Sequence, residues 1–361
     1  MNMLRGAQRA SGRTTEEKMN KTTPKDGRIT RRAVLATGAA LPLCGILTRR
    51  ASAAEFKFKL ATGQDPTHPV NRRAQEAIDR IRQATDGRLE IRLFPANQLG
   101  SDTDLLSQVR FGGVELFNLS SSILATLVPV TGIVNTGFAF PDYEAVWKAM
   151  DGDLGAYVRA QIAKVGLLTA SRAWDNGFRQ ITSSTGPIRA PGDLRGLKIR
   201  VPPSPMLTSL FKALEAGPSP INFNELYSAL QTKVVEGQEN PLPIIATTKL
   251  YEVQKYCSLT GHVWDGYWIL ANRRAWGRLP DDIRAVVERE FDRSAEDERA
   301  DIARLSVSLR QDLSGKGLQF NDVDKEPFRE ALRKTTFYQD WKSKYGDEAW
   351  NNLEQVAGKL V

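Results

Sequence analysis

From residue 54 onward the apolar positions of the chain switch between two periods. "EFKFKLATG" puts Phe56, Phe58 and Leu60 on one face and predicts a strand. "PVNRRAQEAIDRIRQATDG" places Val70, Ala74, Ala77, Ile78 and Ile81 at helical spacing and stops at Gly87. "RLEIRLFP" returns to alternation. "SDTDLLSQVRFGG" opens with capping residues and carries Leu105, Leu106 and Val109 as a second helix, and "VELFNLSS" is a third strand. Strand, helix, strand, helix, strand at these lengths predicts a parallel sheet with helices on its faces. In such open sheets ligands gather at the carboxyl ends of the strands.

A second set starts near residue 167. "GLLTASRAWDNGFRQITSS" and "DLRGLKIRV" predict strands; "SPMLTSLFKALEA" and "NELYSALQTK" predict helices. After "VVEGQENP" come an apolar helical piece and a Trp-rich strand, "VWDGYWILAN". From Asp281 to Leu313 there is neither Pro nor Gly, and Ile283, Val286, Val287, Phe291, Ile302, Leu305 and Leu309 mark a buried stripe. A helix of this length spans roughly 50 Å, enough to lie across two lobes as a strut. Two helices with a kink near Ala295–Asp297 fit the same pattern. The total of 361 residues suits two domains better than one core.

The first 53 residues change the reading of charge. The chain carries a net +8, but this segment holds 11 of the 50 Lys and Arg and 3 of the 42 Asp and Glu, which accounts for all of it. The remainder is neutral, so a nucleic-acid partner loses its electrostatic support. The segment itself reads as a leader. Arg31 and Arg32 precede a moderate apolar run, and Ala51, Ser52 and Ala53 offer small residues to a peptidase. This predicts a twin-arginine export signal, cleaved near Ala53, and a periplasmic destination. Met19 opens a complete leader of its own. One cysteine, Cys257, then remains, with two histidines, His68 and His262. No internal disulfide forms, and a metal or Fe–S site has little to build on. There is no Gly-rich phosphate loop and no serine nucleophile elbow.

In "GLKIRVPPSP" a short strand alternates Leu197, Ile199 and Val201 against Lys198 and Arg200, and Pro202 ends it. Arg200 therefore sits at the carboxyl edge, on the face opposite Ile199 and Val201. A guanidinium there is solvated, paired with a structural acid, or waiting for the acid of a ligand. Arg179, beside Phe178 and Trp174, poses the same three choices.

The runs "PANQLGS", "NGFRQITSS", "DLRGLKIRVP", "NELYSALQTKVVEGQENP", "YEVQKYCSLTGH" and "LPDDIRAVV" resemble the solute-binding proteins of TRAP (tripartite ATP-independent periplasmic) transporters, the DctP family, along nearly the whole mature chain. The resemblance implies an α/β, two-lobed periplasmic binding protein fold with crossing strands, an interlobe cleft and a long strut helix. It implies one lobe from 54–177 and 266–305, and the other from 178–265 and 306–361. It implies a monomer without cofactor that captures a small organic acid and hands it to membrane permease subunits. By match, Arg200 makes a two-pronged salt bridge to the ligand carboxylate and Arg179 is a further carboxylate contact. Asn240 of "GQENP" contacts the ligand, and Phe223 before "NELY" lines the pocket. Members that bind sialic acid carry Glu and Arg where this chain has Ser120 and Ile123, and Asn where it has Pro203. That points to a smaller or less polar acid, with Ser120 in the pocket. Trp174 either packs on such a ligand or belongs to the core, and Trp264 carries the same ambiguity. Delivery to a sensor instead of a permease would use the same pocket, and a periplasmic enzyme is the remaining alternative.

Overall fold

The computed structural model describes residues 54–361; the export-signal reading concerns residues outside this range. Among the described residues, twelve strands form two six-stranded sheets. In chain order they are β1 (Phe56–Thr62), β2 (Leu89–Phe94), β3 (Leu116–Ser120), β4 (Leu167–Thr169), β5 (Trp174–Phe178), β6 (Gln180–Ser183), β7 (Lys198–Val201), β8 (Gly217–Pro220), β9 (Gly237–Asn240), β10 (Tyr256–Leu259), β11 (Trp264–Asn272) and β12 (Gln319–Asp322). The first sheet runs β2-β1-β3-β11-β4, with β5 also on β11; the second runs β12-β10-β6-β9-β7-β8.

The parallel set predicted from the pattern is present: β1 pairs in parallel with both β2 and β3. The sheet as a whole is mixed. β11 enters it from the second sheet and runs antiparallel to β3, β4 and β5. Sequence periodicity carries no information on this direction, because β11 is buried on both faces and reads as one apolar run.

The chain passes between the sheets three times. β5 gives way to β6 at Arg179, β10 to β11 through residues 260–263, and the third passage is a single helix, Asp281–Gly315. The first two passages lie side by side, with the Arg179 amide donating to the Val263 carbonyl at 2.9 Å. The helix is continuous over 35 residues, so the kinked alternative does not apply. It packs on the helix Pro69–Ala84 and on β5, then on the helix Leu242–Thr247 and β12. Ile283, Val287, Phe291, Ile302 and Leu309 are buried as predicted, but so are Glu290, Glu298 and Asp301. Two of these acids meet arginines of the Pro69–Ala84 helix: Arg73 grips Asp301 at 2.7 and 3.0 Å, and Arg80 reaches Glu290 at 2.7 Å.

Glu298 has no such cation. Its Oε2 accepts from the Asp175 amide at 2.9 Å, and its Oε1 has no partner. Asp175, buried on β5, accepts from the Trp264 indole at 2.8 Å. Burial pushes Asp175 up to about 7; burial and then the Asp175 charge push Glu298 well above the usual carboxylate range. The folded state thus holds these protons more tightly than the unfolded chain. Stability is expected to be highest below pH 4 for this pair and to fall as pH rises through about 7. Urea unfolding of Glu298→Gln between pH 5 and 8.5 checks this: the variant should lose less stability than the parent over that range, and an unchanged slope would refute it.

Candidate ligand-binding site

Strand β7 lies inside the second sheet between β8 and β9, and its residues 199–201 are buried on both faces. Ile199 and Val201 go into the core at 0% exposure; Arg200, on the other face, is also buried, at 1%. It faces a cavity of about 30 Å³ lined from the first sheet by Gly63, Asn118, Ser120 and Tyr267 and from the second by Pro202, Phe223 and Asn240. The Arg200 Nε donates to the Ile221 carbonyl at 2.9 Å, while Nη2 has no partner. No carboxylate of the described residues lies within ion-pair distance of it; burial, the largest influence, brings it down to about 10. Of the three choices open to this arginine, solvation and a structural ion pair are therefore not what is observed. Across the cavity, both polar atoms of the Asn118 amide and the Gln64 Oε1 are also buried without partners. Buried polar groups in folded proteins are overwhelmingly paired, so four unpaired atoms around one cavity mark a place built for something polar.

Arg179 also lines the cavity but is engaged within the protein. Its Nε and Nη2 clasp the Glu239 carboxylate, Nη2 donates to the Glu239 carbonyl at 2.6 Å and to the Asn240 Oδ1 at 3.0 Å, and Nη1 lies 3.4 Å from Asp265. Burial, the largest influence, pushes the Glu239 carboxyl up, but the Arg179 charge together with the hydrogen bonds from His262 and Arg179 outweighs it and holds the carboxyl below its ordinary value. His262, on the second passage between the sheets, places Nε2 3.1 Å from Glu239; burial lowers its pKa. Arg179 thus ties the two side-by-side passages together through Glu239 on β9.

Five of the six residues singled out from sequence meet at the cavity: Arg200, Arg179, Asn240, Phe223 and Ser120. The Asn240 amide donates to Gln238 at 2.5 Å and the Ser120 hydroxyl to Asp265 at 2.6 Å. The Phe223 ring centre lies 6.0 Å from the Arg200 guanidinium carbon. Trp174 is not brought there. It is fully buried in the core with Phe58, Tyr267 and Phe291, because it points from β5 toward the strut helix and not into the cleft. Trp264 likewise packs edge-on against Phe140 and Trp147 in the core. Sequence reasoning missed Asn118, Gln64 and Asp102. Asn118 alone left a signal, as an amide inside the apolar strand "LFNLS"; Asp102 was hidden among helix-capping residues.

A family model described as bacterial extracellular solute-binding protein, family 7 (DctP), matches residues 60–342. The chain belongs to this family. Among its relatives, an uncharacterised protein of Sinorhizobium fredii is 34% identical over 311 residues. That match covers 84% of this chain but only 56% of the relative's length. The 2,3-diketo-L-gulonate-binding periplasmic protein YiaO of Escherichia coli is 29% identical over 80% of this chain and 88% of its own. Among solved structures, a TRAP periplasmic solute-binding protein from a Polaromonas species, bound to D-erythronate, superposes with a TM-score of 0.80 at 29% identity. It covers 84% of this chain and 98% of that one. The two-sheet α/β architecture with its long helix is the family 7 fold, and the Escherichia coli and Polaromonas relatives are solute-binding proteins. Among the described residues no helix is long and apolar enough to cross a membrane.

Proposed function

We propose that this family 7 protein captures a small organic acid between its two sheets, with Arg200 as the anchor for a carboxylate, and delivers it to a TRAP permease. The observation that carries this reading is the Arg200 guanidinium: buried, without an acid partner, and facing a cavity rimmed by further unpaired polar atoms. A carboxylate there accepts charge-assisted hydrogen bonds with the geometry a planar guanidinium favours. Asn118 and Asn240 supply amides, Ser120 a hydroxyl and Phe223 an apolar wall. Arg179 acts at the same site mainly by holding Asn240 and the passages between the sheets in place. The relatives' ligands, a diketogulonate and an erythronate, are acids of this kind.

A cavity of about 30 Å³ holds about two waters, so a ligand enters only when the sheets part. The side-by-side passages at Arg179 and residues 260–263 are where that hinge lies, and the anion favours closure by completing the charge pair. Nothing at the site is arranged for turnover, and we read the protein as a monomeric binder and not an enzyme. A thermal-shift screen of residues 54–361 against organic acids tests the function. A true ligand at 100 times its dissociation constant adds about 2.7 kcal/mol; a screen in which no acid raises the melting temperature would refute the reading. The Arg31–Arg32 leader places capture in the periplasm by the twin-arginine route. Lysine at both positions should hold the chain in the cytoplasm, and unchanged export would exclude that route.

A further inference from the structure

We infer that the ligand carries a single carboxylate, that its neutral remainder crosses Phe223 into a second compartment of the cleft, and that acids with a second carboxylate are rejected. The inference rests on Arg200 being the anion anchor. Three charged side chains line the inner cavity: Arg200, Arg179 and Asp102. The charge of Arg179 is already met by Glu239 and Asp265, both fully buried. Among the described residues, one free cation is left at this cavity, and it accommodates one carboxylate. Asp102, 5% exposed, receives the Asn97 amide at 2.9 Å, and among the described residues no arginine or lysine lies within ion-pair distance of it; burial pushes its carboxyl up, while the Asn97 bond and the more distant Arg200 charge oppose this. With Arg200 taken by the first carboxylate, a second one in this cavity faces Asp102, and among the described residues no further uncompensated cation lines the cavity.

A further space of about 260 Å³ lies beside the inner cavity, and Gly63 and Phe223 line both. Gly63 lets the Asp102 carboxylate pack against the chain there: a Cβ would lie 2.7 Å from its Oδ1. The second sheet's side of the outer space is walled by Phe223, Leu226, Tyr227 and Leu250. Among the described residues its only charged lining residue is Asp65, already bonded to the Thr67 amide and hydroxyl. An apolar cavity of about 150 Å³ holds a benzene ring, so the outer space has room for a ring or a branched chain. Asn97, Asn224 and Thr248 add polar groups to its lining, but among the described residues it offers an anion no cationic side chain.

Calorimetric titration of the purified mature chain with 2-hydroxybutanoate, malate and 3-phenyllactate tests this. The monoacid should bind at least about tenfold more tightly than malate, its diacid counterpart, since like charges brought together cost several kcal/mol. Phenyllactate should bind more tightly than either. Asp102→Asn should narrow the gap between 2-hydroxybutanoate and malate, and Tyr227→Ala should shrink the advantage of phenyllactate over 2-hydroxybutanoate. Malate binding as tightly as the monoacid, or phenyllactate showing no advantage, overturns the inference. In that event loss of all binding in Arg200→Lys would still support the anchor. Binding unaffected by Arg200→Lys would instead overturn the anchor, and this inference with it.

Discussion

Arg200→Met is expected to abolish carboxylate binding and, at the same time, to raise the stability of the ligand-free protein. The two effects have one cause. The guanidinium is 1% exposed, holds a single backbone carbonyl through Nε, and leaves Nη2 unpartnered. Taking a charge out of water costs several kcal/mol unless a counter-charge offsets it, and here the counter-charge arrives only with the ligand. Methionine has similar length, fills the space with apolar atoms and removes the cost. Replacing buried charge with apolar side chains of similar volume has given gains of about 1–4 kcal/mol elsewhere. Urea unfolding of parent and variant without ligand, followed by titration with whichever acid the screen identifies, measures both halves. A less stable variant would mean that Arg200 is a structural cation, satisfied by groups other than a ligand.

Glu239→Ala is expected to act in the opposite sense, destabilising the fold by about 3–5 kcal/mol, because it leaves a buried arginine without its partner. Arg179 and Glu239 are 3% and 0% exposed at their side chains, and among the described residues Asp265, at 3.4 Å, is the only other carboxylate within ion-pair distance of the guanidinium. His262 loses its acceptor in the same step. Removing both charges with Arg179→Met and Glu239→Leu should recover most of the loss, which separates the orphaned-charge effect from simple cavity formation. A loss below 1 kcal/mol in the single variant would show that water reaches Arg179 through the cleft and solvates it.

The contrast between these arginines explains how far the sequence could be read. Both lie near strand ends beside apolar residues, and from spacing each had the same three options. What separates them is Glu239, sixty residues from Arg179 in sequence and its neighbour only because β6 and β9 pair. Period-2 and period-3.6 patterns report burial of one face, which is why β1, β7 and the strut helix were legible. They do not report which residue of another strand stands opposite. Asp175 and Glu298 were invisible for the same reason: each is one acid among many until the strut helix lies on β5. Trp174 was undecided because tryptophan suits a binding wall and a core equally well, and only the direction of its Cα–Cβ bond on β5 tells them apart. The motif resemblance brought Arg200, Asn240 and Phe223 to one place where periodicity could not.

The three passages between the sheets have a consequence for how the molecule comes apart. A protease that cuts at Arg179, in 260–263 or within Asp281–Gly315 severs one thread and leaves two. No single nick yields a free half, and a fragment that keeps the first sheet whole must contain β11, which the chain reaches only after building most of the second. The halves are therefore not separable modules: neither can be expressed as one uninterrupted piece of the gene, nor exchanged with that of a relative by a single crossover.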